Sequence, residues 1–174
     1  MEGYNYDAVA STIKLEDITS NRVNQGLLRR VKENDPDFDK MLVTDNCEDG
    51  HCVHCMDYCP DGARDLGWMG YYIGENMTLK HLRFPSNSMS IRDLEPFFRG
   101  VNQNRYIQSL SFYKMNLFGG EIFQSLRPLF ENNNSLCEIS VEECAFSFRS
   151  ARELSLALRC CNKSLKSLYL ECKA

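Results

Sequence analysis

Four cysteines and two histidines stand within fourteen residues of this chain, Cys47 to Pro60, read CEDGHCVHCMDYCP. The spacing is Cys47-x4-Cys52-x2-Cys55-x3-Cys59, with His51 and His54 between. Four thiolates at such separations suit tetrahedral zinc, and an all-sulfur set also suits an iron–sulfur cluster. Structural zinc contributes about 10–16 kcal/mol in favourable peptides, enough to order a loop by itself. Common zinc sites, however, pair two Cys-x2-Cys knuckles across a longer spacer, and Cys52/Cys55 is a single knuckle. The competing reading is an acidic loop with free thiols. The elements that carry the loop weigh between the two.

The bulk numbers narrow the classes. A chain of 174 residues fits one domain with its own core. A formal charge of −4 argues against a general nucleic-acid or anionic-membrane binder, both of which need a basic surface. The opening MEGYNYDAVASTIKLED lacks the charged and apolar regions of a signal peptide, and no run reaches the ~18 apolar residues of a membrane span. Nine cysteines is an odd count, so reduced thiols in the cytoplasm or nucleus are expected rather than a disulfide framework. There is no glycine-rich phosphate loop, nucleophile elbow, HExxH or histidine triad in the sequence, and no enzymatic activity is expected.

A repeat organises the rest. LKHLRFPSNSM from Leu79, IQSLSFYKMNL from Ile107, LCEISVEECAF from Leu136 and LKSLYLECKA from Leu165 begin 28, 29 and 29 residues apart. In each, apolar residues fall at offsets 0, 3 and 5, as in Leu79, Leu82 and Phe84 or Leu136, Ile139 and Val141. That is a short strand with alternate residues inward, entered through one further anchor. Helical spacing follows in Leu94, Phe97, Phe98 and Val101, in Ile122, Leu126 and Leu129, and in Ala151, Leu154 and Leu158. Three residues before each anchor stands Asn76, Asn104, Asn133 or Asn162. Asparagine tolerates the left-handed conformation, so each is expected to end a helix in that way.

These lines resemble leucine-rich repeat proteins of the ribonuclease-inhibitor-like subclass, whose units alternate strand and helix with a period of about 28–29 residues. The LxxLxL core is present in all four, and the following Asn/Cys position is filled by Asn87, Met115, Cys144 and Lys173. The resemblance implies an α/β, right-handed solenoid, a horseshoe segment with parallel strands on the concave face and helices on the convex face. It also implies protein–protein interaction as the general role. Cys144, at the Asn/Cys position, is expected to be structural. Trp68 and Tyr71–Tyr72 are expected in the core, His81 on the surface, and Cys160 and Cys161 in helix packing.

The same register places the cysteine stretch. Phe38, Met41 and Val43 make an earlier strand, 41 residues before Leu79, so this unit is 12 or 13 residues longer than its neighbours. The surplus is an insertion of about residues 45–62 in the loop between a strand and its helix, where length is loosely constrained. A metal there, on Cys47, Cys52, Cys55 and Cys59, would be an accessory. Residues 1–17 are expected to be a disordered tail and residues 18–34 a helix capping the solenoid of 18–174. The strand from Leu165 is followed by no cap, which reads as truncation or an edge that associates with something.

The non-core strand positions stack as ladders. One is Lys40, His81, Ser109, Glu138 and Ser167; the next Leu42, Arg83, Ser111, Ser140 and Tyr169; the third Thr44, Pro85, Tyr113, Glu142 and Glu171. They run from basic through neutral to acidic, which suits a protein with complementary patches. The expectation is therefore a non-enzymatic protein-binding scaffold with no cofactor. The alternative is a metal-binding or redox-sensing loop on the same scaffold, with zinc ahead of iron–sulfur. The expected partner is another protein rather than a nucleic acid or a membrane.

Overall fold

A computed structural model describes residues 5–44, 57–85, 91–160 and 164–173. Its elements follow the alternation of apolar spacings along the chain. Helices α1 (Leu15–Ile18) and α2 (Arg22–Lys32) precede strands β1 (Lys40–Val43) and β2 (Asp57–Tyr58). Then come α3 (Ala63–Glu75), β3 (His81–Pro85), α4 (Ile91–Val101) and β4 (Ser109–Tyr113). The remainder is α5 (Glu121–Ser125), α6 (Arg127–Asn132), β5 (Glu138–Ala145), α7 (Phe148–Cys160) and β6 (Ser167–Lys173). The chain is an α/β fold: one six-stranded sheet, every pairing parallel, in the order β2-β1-β3-β4-β5-β6.

The predicted strand offsets hold on β3, β4 and β5, whereas in the last predicted helical set Leu154 is buried, Leu158 half-buried and Ala151 exposed. Leu82 aligns with Leu110, Ile139 and Leu168, and Phe84 with Phe112, Val141 and Leu170. On β3, β4 and β5 these inward residues are buried, as are the anchors Leu79, Ile107 and Leu136. The helical sets from Leu94 to Val101 and from Ile122 to Leu129 are buried too. Phe84 stacks on Phe112 with ring centroids 5.3 Å apart, so neighbouring units share one aromatic layer. The helix layer closes tightly where α3 crosses α4. A Cβ on Gly100 would stand 2.2 Å from the carbonyl carbon of Gly70, and one on Gly70 2.2 Å from the Phe97 oxygen. Only a residue without a side chain lets the two backbones meet there.

The asparagines end helices, but not as expected. Asn76 (φ −77°, ψ 137°) and Asn133 (φ −91°, ψ 116°) are extended, and the left-handed non-glycine residues among those described are Asn34, Lys114 and Glu143. What selects asparagine is its side chain, buried at Asn76, Asn104 and Asn133. Each Oδ1 accepts from the backbone N–H groups two and three residues ahead: Thr78 and Leu79, Tyr106 and Ile107, Ser135 and Leu136. Each Nδ2 donates backward to the preceding unit. Asn76 reaches the Val31 carbonyl at 2.7 Å, Asn104 those of Ile73 and Asn76 at 2.6 and 2.8 Å, and Asn133 that of Asn104 at 3.1 Å. A side chain with donor and acceptor at one end satisfies groups that would otherwise be buried unpaired. Asn162 lies outside the described residues.

Two further differences concern the amino-terminal edge. The insertion, read as strandless loop, ends in β2, which pairs with β1 through Leu42↔Asp57 and Val43↔Tyr58. Residues 5–14, expected within a disordered tail, make turns whose Tyr6, Val9, Ala10 and Ile13 pack on the core. Tyr6 stands edge-on to Trp68 at 4.9 Å and stacks on Tyr71 at 5.6 Å. Asp7 accepts from the Tyr71 hydroxyl at 3.0 Å. Burial and that bond push the Tyr71 phenol up to about 12. Within residues 18–34 the helix is α2, which starts after Asn21, whose Oδ1 accepts from the Val23 and Asn24 N–H groups. Its Leu27, Leu28 and Val31 are buried.

Candidate functional site: the polar face of the sheet

Period-two alternation leaves every second side chain of a strand on the face away from the helices. Lys40, His81, Ser109, Glu138 and Ser167 are in register across β1, β3, β4, β5 and β6. So are Leu42, Arg83, Ser111, Ser140 and Tyr169, and then Pro85, Tyr113, Glu142 and Glu171 on the last four strands. Thr44, placed in the third ladder, lies just past β1 and is buried. Ser140 is also buried, and its hydroxyl donates to the Glu142 carboxylate. The outer members Lys40, Arg83, Glu138, Tyr169 and Glu171 are exposed.

The face is most structured where β4 and β5 end. The Tyr113 ring is flanked by two cations, the Arg83 guanidinium 5.4 Å and the Lys114 ammonium 4.9 Å from its centroid. Its hydroxyl donates to Glu143 Oε1 at 3.2 Å, and Lys114 Nζ stands 3.9 Å from Oε2 of the same carboxylate. The Tyr113 contact and the Glu143 charge hold the Lys114 ammonium above its ordinary pKa. Lys114 and Glu143 are both left-handed, at φ 52° and 51°. Glu143 is the extra residue of a bulge, because Glu142 pairs with Glu171 and Cys144 with Cys172. Each such conformation costs a non-glycine residue about 1–2 kcal/mol. Together they bring the two side chains to one aromatic ring. On the neighbouring strand the Tyr169 hydroxyl donates to Glu171 at 2.8 Å, and that bond raises the phenol's pKa.

Sequence reasoning missed Lys114 and Glu143, since neither is a residue type that signals positive φ. Cys144 is buried as expected. Its sulfur accepts from the Met115 N–H at 3.4 Å and lies 3.5 Å from the Phe112 carbonyl, and burial raises the thiol's pKa.

Of the four proposed metal ligands, Cys47, Cys52 and Cys55 lie outside the described residues, as do Asn87 and Cys161. Cys59 is disulfide-bonded, and Cys137, Cys144 and Cys172 are free. Among the described residues there is no cluster of three side chains fit to hold a metal, and no helix is long and apolar enough to cross a membrane.

No protein-family model and no curated protein sequence matches the chain. Solved structures do. One is described as leiomodin-1 actin-binding site 2, with a TM-score of 0.58 and 18% identity over 87% of this chain and 80% of that one. Another is a tropomodulin C-terminal domain from Caenorhabditis elegans, with a TM-score of 0.44 and 10% identity over 79% and 92%. The first of these corrects the resemblance drawn above. The chain shares its α/β fold with a leiomodin domain, and the assignments to leucine-rich repeat and ribonuclease-inhibitor-like proteins do not stand. The strand–helix period was read correctly and the class inferred from it was not, because many scaffolds repeat at similar length.

Proposed function

We propose that this chain is a non-enzymatic protein-binding module that uses the polar face of its sheet, with actin as the first partner to test. The observation that carries the reading is the cluster of Arg83, Tyr113, Lys114 and Glu143. Two strained backbone positions hold an aromatic ring between cations on an open face, where a partner can reach it. Tyrosine and arginine are the residue types that most often dominate binding energy. The solvent ladders supply both signs of charge around it, which favours one orientation of a partner. In the finer architecture of this proposal, the stacked strand–helix units curve, with strands on the concave side. Actin enters by analogy of fold with the leiomodin domain, described as an actin-binding site.

The test is binding of labelled actin, monomeric and filamentous, to the wild-type chain and to Arg83→Glu with Tyr113→Ala. The expected result is micromolar binding that the double variant weakens about tenfold or more. No binding of either actin form by the wild type would remove actin. Equal binding by both proteins would remove the polar face as the surface.

A further inference from the structure

We infer, resting on the proposal that the polar face binds a protein, that the partner lays a helix across the strands. That helix carries an acidic residue over Lys40 and Arg83 and a basic residue over Glu138 and Glu142. The reason is that this face keeps its two signs of charge apart. Lys40 and Arg83 are exposed on β1 and β3, and on β5 Glu138 is exposed and Glu142 half-buried. Between them β4 places Ser109, in register with His81 and Glu138, and Ser111, in register with Arg83 and Ser140. Among the described residues, none of Lys40, Arg83, Glu138 and Glu142 stands within ion-pair distance of an opposite charge. On the helix layer, by contrast, Arg99 pairs with Glu95 and Arg127 with Glu131. Opposite charges on adjacent strands stabilise a sheet, and this face forgoes that contact. The Lys114–Glu143 pair lies past Tyr113, beyond the end of β4.

The separation selects the partner's backbone. β3 and β5 lie two strand spacings apart, about 10 Å, which exceeds the screening length of about 8 Å in physiological salt. The two signs therefore do little to neutralise each other, and each is open to a charge from outside. Seven residues of α-helix advance about 10.5 Å and return to the same face of the helix. An extended strand returns to the same side at about 7 and 13 Å, which brackets the separation without matching it. Ser109 and Ser111 are small, so the row beneath the middle of such a helix is low. Arg83 is also held in place, its guanidinium 5.4 Å from the centre of the Tyr113 ring, so a carboxylate meets a cation already positioned. A uniformly acidic or uniformly basic helix would meet repulsion on one side or the other.

The experiment uses the whole chain and four labelled, alanine-rich peptides of about eighteen residues, long enough to hold a helix. The first carries a glutamate and a lysine seven positions apart. The second has them four apart, where they pair with each other instead. The third carries two glutamates and the fourth two lysines, again seven apart. The first is expected to bind about fivefold or more tighter than each of the others at low salt, with an advantage that shrinks as salt rises. Arg83→Glu with Lys40→Glu should transfer the preference to the lysine peptide. Glu138→Lys with Glu142→Gln should transfer it to the glutamate peptide, the glutamine keeping an acceptor for the Ser140 hydroxyl. Damage to the fold would weaken all four alike, so a change of rank reports charge. Equal binding of the second peptide, no binding of the first at millimolar concentration, or an unchanged rank in either variant overturns the inference. So does a dimer in sedimentation that Arg83→Glu dissolves, which gives the face to a second copy. Actin is measured beside the peptides. If actin binds and is lost on Arg83→Glu with Tyr113→Ala while no peptide binds, the inference falls and the proposed function stands. If the first peptide binds best and neither form of actin binds, actin falls and the inference stands.

Discussion

The two edges of the sheet begin from the same problem and reach different states. A terminal strand exposes one side of its inward residues and one row of backbone groups. At the amino-terminal edge β1 is covered by β2, and the segment carrying β2 is fastened from several sides. Tyr58 is buried and its hydroxyl donates to Asp65 at 3.0 Å. The Asp65 carboxylate also accepts from the Asp61 and Gly62 N–H groups, each at 2.8 Å. Asn24 of α2 grips the Cys59 backbone, donating to its carbonyl at 2.5 Å and accepting from its N–H at 3.3 Å. At the other edge β6 carries two half-exposed leucines beside a basic helix face. The contrast shows that closing such a sheet takes few residues if each one is buried and hydrogen-bonded.

The strongest way to break the comparison is Tyr58→Ala. It removes a buried ring and one donor to a buried carboxylate, and about 3–5 kcal/mol of stability should be lost in urea titration. A loss under about 1 kcal/mol would mean that β2 does not close its edge. Asn104→Ala acts in the interior that both edges share. It strands two carbonyls and two N–H groups, and at the lower end of roughly 1–3 kcal/mol for each group left unsatisfied a loss of about 4 kcal/mol is expected. Leu170→Ser, at the open edge, should cost less than about 1 kcal/mol, because the side chain is already 48% exposed. A cost like that of Tyr58→Ala would mean the edge is covered in solution.

The smallest effect is a pH dependence confined to the closed edge. Burial raises the Asp65 pKa, outweighing the three bonds that favour its charged form. The folded chain thus holds that proton more tightly than the unfolded chain. Its contribution to stability is full below the unfolded value of 3.8 and is lost as pH rises through the higher folded value. Asp35 has the opposite sign. Its hydrogen bond to Arg30 at 2.5 Å lowers its pKa, so its contribution is present above 3.8 and fades as pH falls through the folded value. Asp65→Asn should flatten melting temperature against pH just above 3.8. An unchanged profile would show that the carboxyl is not buried as described.

The polar ladders, Thr44 excepted, were legible in the sequence, because a two-residue alternation repeated at 28 or 29 residues fixes both face and register. The asparagines were legible as positions but not as geometry. Composition suggested a backbone reason, whereas the cause is an amide that must reach the previous unit. β2 was hidden because two residues carry no alternation, and Tyr58 looked like part of a cysteine loop. Lys114 and Glu143 gave no signal at all, since their conformation is imposed by the bulge and by what surrounds it.

The asparagine series also governs where the chain can change length. Each amide spans a fixed step, from its own turn to the carbonyl of the unit before, and each Oδ1 grips N–H groups two and three residues ahead. Losing or gaining one residue in such a turn would move a buried donor off its acceptor, and nothing nearby could take it up. Among the described strand-to-helix connections, the one after β4 is tied to the one after β5 by Ser147 and Ser150, whose hydroxyls donate to the Phe118 and Leu117 carbonyls, and the 12- or 13-residue surplus with its cysteines falls on the strand-to-helix side of its own unit. The asparagine turns therefore keep a strict count on one rim of the sheet, and the surplus length of the chain is carried on the other.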